Sequence, residues 1–467
     1  MVIQKINQPV KMWQWRSLSL NHRTASEVFA ALFLEDTVAT LLESPVIENL
    51  AQPQLSRYSI CAGAPRRKEG EPQLWTPKIG EILPFLRSLL QQPTRDNAAV
   101  AHLPFTGGWL GWLGYDLAWE IEKLPKLNQD TLPFPVAYWY EPDCFAVLDH
   151  VAQTLWLAAV DFEQLDQLEA KVAGSSFPPE IVPNTPTTSK ITFLTDQQQY
   201  QDAVRQGKQH IQAGDIFQAN LSLRFQTNTT RDSWWIYQQL QAINPSPFAS
   251  YWRSPWGDVI SCSPERLVQL EGNIAQTRPI AGTRRRGADP ASDRALAAEL
   301  LANTKERAEH IMLVDLERND LGRVCQWGSV EVDELLVIER YSHVMHLVSN
   351  VKGILNSDRD GIDLLKSVFP GGTITGCPKV RCMELIEELE PVRRSLFYGS
   401  CGFLDQRGNL DLNILIRTLL YVKSADSDIA QVYGQVGAGI VADSDPEQEW
   451  YESLNKAEAQ IAALQGK

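Results

Sequence analysis

Four glutamates stand in two pairs of equal spacing: Glu306 and Glu309 in KERAEH, Glu449 and Glu452 in EWYESLNK. Residues three apart on a helix project from one face. Two such faces brought together offer hard oxygen ligands to Mg²⁺, which keeps several waters and commonly takes one or two protein carboxylates beside those of its substrate. A single pair is also ordinary on a solvated helix face, so the pairs carry weight only in company. The complementary half is cationic and glycine-rich. Lys379 follows the glycine-rich turn in GGTITGCPKVR, near a helix start whose N–H groups favour an anion. Arg417, in the apolar strand-like run ILIRTLL, is expensive to bury unpaired and reads as an edge residue or a carboxylate ligand. Gly437 and Gly439 in GQVGAGIV let an anionic ligand approach the backbone. Lys456 follows Glu452 by one helical turn, a spacing that equally suits an i,i+4 ion pair. The run PIAGTRRRG, Pro279 to Gly287, sets three arginines behind a glycine turn; by itself such a run is usually a solvated face.

These residues need elements to hold them. Thr195 or Asp196 can cap a helix that runs through Tyr200, Val204 and Ile211 to a stop at Gly214. The stretches SDRALAAELLANTKERAEHIMLVDLERNDLG and PEQEWYESLNKAEAQIAALQ combine helix formers with 3.6-residue apolar spacing, the first of them divisible into two segments. IFQANLSLRF, GNIAQTRPIAGT, GSVEVDELLVI and DIAQVYGQVGAGIV read as strands, as do CFAVLDH and TLWLAAVDF nearer the start. GGWLGWLGYD, Gly107 to Asp116, reads as a glycine-rich turn. Regular β–α alternation and an early GxGxxG are both lacking, so the expected class is α+β, with large antiparallel sheets flanked by helices. The proline-rich AGSSFPPEIVPNTPTTSK reads as a linker over 173–190, dividing an N-terminal module, 1–172, from a catalytic domain, 191–467.

Composition narrows the partners. The chain has 467 residues, 44% hydrophobic and 21% charged, with a net charge of −14, a globular profile with no overall field to attract nucleic acid or anionic lipid. Its first residues carry charges throughout and lack the apolar run of a signal peptide or membrane span. Seven scattered cysteines make neither a disulfide framework nor a zinc pattern, which points to a reducing cytoplasm. An anionic ligand must therefore be held by a local site.

The motifs collectively resemble the chorismate-utilising enzymes. SPER (Ser263 to Arg266), PIAGTRRRG, KERAEHIMLVDLERNDLGRV, HLVS, FPGGTITGCPKVRCMELIEELEP, GNLDLNILIRT and GAGIVADSDPEQEWYESLNK occur in that family's order. LLESP (Leu41 to Pro45), SRYSI (Ser56 to Ile60) and GGWLGWLGYD resemble its N-terminal module. The resemblance implies that Glu309 and Glu452 bind Mg²⁺, with Glu306 and Glu449 as water-mediated partners. It implies that Tyr398, Arg417, Gly437, Gly439 and Lys456 grip the chorismate carboxylates. Glu265 corresponds to a general acid that helps the C4 hydroxyl leave, a role requiring a raised pKa; Thr373 and His346 correspond to further pocket positions. LLES and NPSPF (Asn244 to Phe248) resemble segments that hold tryptophan in related synthases, which nominates Ser44, Arg57, Tyr58, Asn244, Pro245 and Ser246.

Gln218 stands where the water-using members carry a lysine base, so the resemblance favours ammonia as nucleophile and argues against isochorismate and salicylate synthases. No glutaminase segment is recognisable, which implies a separate glutamine amidotransferase subunit. Between the two ammonia users the signals divide. Typical aminodeoxychorismate synthases read PIKGT, with a lysine that attacks C2, whereas this chain has Ala281, as anthranilate synthases do. GGWLGWLGYD, SPER, FPGGTITG, FYGSCGF and the chain length resemble the aminodeoxychorismate enzymes, and this weight of distributed features makes that activity the expectation and anthranilate synthesis the alternative. A catalytically silent, tryptophan-binding partner subunit would have lost a metal or acid residue, yet Glu265, Glu309 and Glu452 are all present.

Overall fold

The computed structural model describes residues 13–44, 56–92, 97–174, 189–341, 344–423 and 427–466. The expected linker falls mainly on 175–188, outside these residues, as does Pro45 of LLESP. The expected α+β class holds: among the described residues, all strand pairs in two large sheets are antiparallel, with helices outside them.

Both sheets take strands from either side of the linker. In the twelve-stranded sheet, Ala39–Glu43 pairs with Phe248–Ser254, and the sheet continues to the long pair Gln218–Thr229 and Ala430–Ile440. In the ten-stranded sheet, Gly108–Leu113 pairs with Ser400–Asp405, and Ile280–Arg285 pairs with Val344–Ile354 at one end. One apolar cluster includes Ile60, Val147 and Trp252 of the first sheet and Trp112, Trp139 and Leu404 of the second, so it fills the space between them. A second cluster joins the first sheet to helices through Phe29, Tyr200, Tyr237 and Trp450. Each buried aromatic of this size removes enough apolar surface from water to dominate its local packing.

The helix signals held where local chemistry decided them. Gln197–Ala213 begins at Asp196, whose side chain accepts from Gln199 N within a capping box, and ends at Gly214 in the left-handed conformation. The two-segment reading is realised as Pro290–Ala302 and Thr304–Gly322, and the terminal helix is Pro446–Gln465.

Three readings are corrected. GWLGWL is a fully buried strand, not a turn; Gly111 is there because a side chain would strike Tyr138 O at 2.1 Å and the Trp139 ring at 2.5 Å. Arg417 lies in the loop before the strand Thr418–Lys423, with φ of 50°, a left-handed value that interrupts extended pairing. PIAGTRRRG is mostly strand, Ile280–Arg285, with a register shift between Ala281 and Thr283; the intervening Gly282 has φ of 64°, as a bulge requires.

Candidate active site

The chain crosses from the first sheet to the second between the strands Gly257–Ser263 and Arg266–Glu271, and Glu265 sits at that crossing. Its backbone is fixed on both sides: Glu265 N donates to Ser263 Oγ at 3.2 Å, and Ile414 N donates to Glu265 O at 3.0 Å. The residue is 5% exposed. Burial pushes its carboxyl up to about 7, while the Thr373 hydroxyl, the Ile280 N–H and the Arg417 guanidinium pull it down. Near neutral pH about half of such groups hold a proton, the state a general acid needs.

Arg417 faces this carboxyl. Burial lowers its pKa and the neighbouring Cys262 and Glu265 raise it, and its Nη1 donates to Asn244 Oδ1 at 2.8 Å. His346, 2% exposed, has Nδ1 2.9 Å from Thr283 Oγ1. Burial, reinforced by Arg417, pushes His346 down to about 3, so it is a neutral imidazole. Thr373 occupies a short 3₁₀ turn, Gly372–Ile374, and Asn220 Nδ2 reaches its carbonyl at 3.4 Å. Tyr398 is 5% exposed with φ of 63°; burial raises its phenol pKa, keeping it a neutral donor.

The adjoining group is carboxylate-rich. Gln218 Nε2 donates to Glu309 Oε1 at 3.0 Å, and Gln218 Oε1 is buried without a partner. Gly439 closes against this pair: a Cβ there would lie 2.5 Å from Gln218 Nε2 and 3.4 Å from Glu309 Oε1. Lys456 donates to Gly437 O at 3.0 Å and pairs with Glu452 at 2.9 Å, so the i,i+4 ion pair and the contact with the glycine strand are both realised. Burial raises Glu309 and Glu449, and in each the Glu452 charge reinforces the shift while Lys456 opposes it. Glu309 is thus within the field of Glu452 and Lys456 of a helix remote in sequence. Glu306 is hydrogen-bonded by Arg284 at 2.8 Å through Oε1.

Does this set suit Mg²⁺? Glu306 Oε2 and Glu449 Oε2 are buried oxygens with no donor, the chemistry a hard cation satisfies. Among the described residues no three His, Cys, Asp or Glu side chains gather as a protein-only metal cage. Mg²⁺ sites completed by substrate and water need fewer, so the donor set fits.

Other expected residues are placed differently. Ser44 and Tyr58 line a recess of about 120 Å³ together with Pro247, Phe248 and Phe403. Ser44 Oγ donates to Pro247 O at 2.7 Å. Arg57 turns instead to Asp149 at 2.9 Å. Asn244, Pro245 and Ser246 do not line the recess; Asn244 and Ser246 bond each other, and Asn244 faces Arg417. Lys379 is no free anion ligand: its Nζ donates to Asp320 Oδ2 at 2.6 Å and to Val368 O at 2.9 Å. The three arginines meet carboxylates: Arg284 bonds Glu299 and Glu306, Arg285 reaches Glu458, and Arg286 pairs with Asp293. Asp289 caps the helix Pro290–Ala302. Ala281 is half-buried beside the bulge, opposite Leu347.

The sequence reading missed Glu317, a buried acid that burial and nearby Asp320 push up to about 8, within the field of Glu265. Its spacing to Asp320 is the same three residues that singled out the metal pairs, so the signal existed. It also missed the buried pair Arg394 and Glu390, for which local sequence offers no signal beyond a common i,i+4 spacing.

A family model described as chorismate binding enzyme matches residues 55–462. The chain is 63% identical over 464 residues to an "Anthranilate synthase component I-like protein" of Synechocystis, covering 97% of this chain and 92% of that one. It is 42% identical over 390 residues to a separate "Anthranilate synthase component 1" of the same strain, covering 77% of each. To "Aminodeoxychorismate synthase component 1" of Bacillus subtilis it is 45% identical over 372 residues, again 77% of each chain. A crystal structure of anthranilate synthase component I from Streptococcus pneumoniae superposes with a TM-score of 0.75 at 30% identity, over 89% of this chain and 94% of that chain. With the motifs, the antiparallel architecture and the matched span all in agreement, the chain belongs to the chorismate-binding enzymes.

Proposed function

We propose that the protein aminates chorismate at C4, giving 4-amino-4-deoxychorismate, with ammonia supplied by a separate glutaminase subunit. The observation that carries amination is Gln218. Its amide is bound to Glu309 and cannot act as a base, so water activation has no agent at that position, whereas neutral ammonia needs none. Arg417, Tyr398, Lys456 and the backbone at Gly437 and Gly439 orient the two substrate carboxylates. Glu265 gives its proton to the departing C4 hydroxyl, which leaves as water, while the ammonia nitrogen forms the new bond to C4; the surplus proton on that nitrogen returns to solvent. Neutral His346 and Thr373 complete the pocket as hydrogen-bonding walls. Glu309 and Glu452 would hold Mg²⁺, with Glu306 and Glu449 acting through its waters, and the ion would supply charge neutralisation for the substrate carboxylate.

The choice of product rests on the distributed motifs GGWLGWLGYD, SPER, FPGGTITG and FYGSCGF, and the relatives include both activities. Synechocystis has a chain named anthranilate synthase component 1 beside the more similar component I-like protein, and this chain sides with the latter. Ala281 favours the second reading, formation of anthranilate and pyruvate, because no lysine stands there to form a covalent adduct. Incubation of the purified chain with chorismate, Mg²⁺ and ammonium separates the two. Prompt anthranilate fluorescence with pyruvate release would overturn the first reading; a non-fluorescent amine that a lyase converts to 4-aminobenzoate supports it.

The recess beside Ser44 and Tyr58 is assigned to tryptophan in the same reading, and calorimetry with tryptophan tests it. All seven cysteines are unpaired, which supports a reducing, cytoplasmic setting. Among the described residues no helix is long and apolar enough to cross a membrane.

A further inference from the structure

One buried side chain reaches three walls of the proposed site from behind. Arg394 is 1% exposed. Its Nε and Nη2 grip Glu390 at 3.0 and 2.6 Å. Nη1 donates to Ile374 O at 2.8 Å, directly after Thr373, and Nη2 donates to Asn220 O at 2.7 Å. Asn220 lies opposite Gly439 in the sheet, two residues from Gln218. The guanidinium plane also stacks near two rings, 4.6 Å from the centroid of Tyr398 and 4.9 Å from that of Tyr115. Glu390 extends the contact, since its Oε1 accepts from Ser222 N and Oγ at 2.8 and 2.7 Å, and Ser222 lies opposite Gly437.

We infer that Arg394 is a positioning residue that sets the spacing between the Thr373 turn, the Tyr398 ring and the Gly437–Gly439 strand, and that Tyr115, from the N-terminal segment, is the plate that holds it there. The inference rests on the reading of Tyr398, Thr373 and the two glycines as substrate-facing. A buried ion pair is weak evidence for stability, because well-packed apolar residues often replace one at no loss. A planar fork whose donors each end on a different wall has a geometric use that a lysine, a point charge on a flexible stem, cannot reproduce. The Tyr115 hydroxyl is buried without a partner, so its ring is the part in use. Tyr115 N donates to Ser395 O at 2.7 Å, tying this plate to the residue after Arg394. Through this stack the N-terminal segment reaches the chemistry without touching substrate.

The test measures kcat and KM for chorismate with ammonium at a temperature where each variant is folded. R394K keeps the charge and loses the fork; kcat is expected to fall about 100-fold, the scale of a 1 Å misplacement, with a smaller rise in KM. Y115L is expected to lower kcat about tenfold, and Y115F to recover most of that loss because it restores the ring. If R394K fails to fold, the tyrosine pair decides alone. A folded R394K with unchanged kcat and KM overturns the inference; so does a Y115L whose melting temperature drops while its kinetics stay those of the parent. Y398F separates the two levels: if it too leaves kinetics untouched, the reading of the site fails, whereas a defective Y398F beside a normal R394K and Y115L sinks the positioning role alone.

Discussion

Glu265 and the glutamates of the two helix faces are the same side chain in opposite settings. Glu265 stands where the chain crosses between sheets, within the field of buried Glu317, with burial as the largest influence on its carboxyl and no lysine among the groups acting on it. Glu452 is exposed and pairs with the half-exposed Lys456, while Glu309 is part-buried, raised first by that burial and lowered by Lys305, Gln218 and Lys456. The first setting favours holding a proton and the second favours binding a cation. Burial disfavours the charged form while opposite charges restore it, and only the second setting supplies lysines to do so.

The largest effect expected from breaking this contrast is at the glutamates proposed to hold Mg²⁺. Glu309→Gln removes a hard ligand and leaves Gln218 facing another amide; activity should fall at least about 1000-fold, equivalent to roughly 4 kcal/mol of lost transition-state stabilisation. Calorimetric titration with Mg²⁺ should show weakened binding in the same variant, and full binding would remove the assignment. Next in size is Glu265→Gln, for which a loss of about 10² to 10⁴ in kcat matches removal of a general acid. In the parent enzyme kcat/KM should fall as pH rises through about 7, because the ionised carboxyl has no proton to give. A flat profile across that region would contradict the acid role.

The same shift carries a stability sign. The folded state keeps a proton that the unfolded chain releases near 4.5, so this group's contribution to stability is lost as pH rises between that value and about 7. Urea midpoints of parent and Glu265→Gln should therefore converge in acid and separate toward pH 8, with the variant the less pH-sensitive. A smaller effect is expected at Asn244→Ala, which frees the Arg417 guanidinium from its 2.8 Å acceptor; a rise of about tenfold in KM for chorismate fits the loss of one charged hydrogen bond. The smallest is Thr373→Val. Its hydroxyl pulls the Glu265 carboxyl down, so its removal should move the pH limb upward by less than about one unit, and a downward movement would show that the contact is misassigned.

Much of the candidate site is legible in the sequence. The paired glutamates, Lys456 and the two glycines lie within short motifs whose spacing already encodes one helical face or one strand, and the family resemblance carried Glu265, His346 and Arg417 by position. The misreadings share a cause. GWLGWL reads locally as a turn because of its glycines; Gly111 is set by the Trp139 ring and the backbone of Tyr138 on the neighbouring strand. Lys379 reads as an anion ligand because the helix start is local, while its partner Asp320 comes from another helix, 59 residues away. Asn244 was nominated with the tryptophan segment, but its side chain meets Arg417, 173 residues further on.

The sequence by itself determined three of the helical stretches, both ends of Gln197–Ala213, several strands, the antiparallel class and the chemical types available, because capping, periodicity and turn chemistry act over a few residues. Only the tertiary structure decided which carboxyls are buried, that Arg417 comes beside Glu265, and that one guanidinium lies behind three walls of the site. Those outcomes depend on burial and on contacts between residues 100 or more positions apart, as with Glu265 and Arg417 or Arg394 and Asn220. Electrostatic environment is a property of what packs around a group, and no local pattern specifies it.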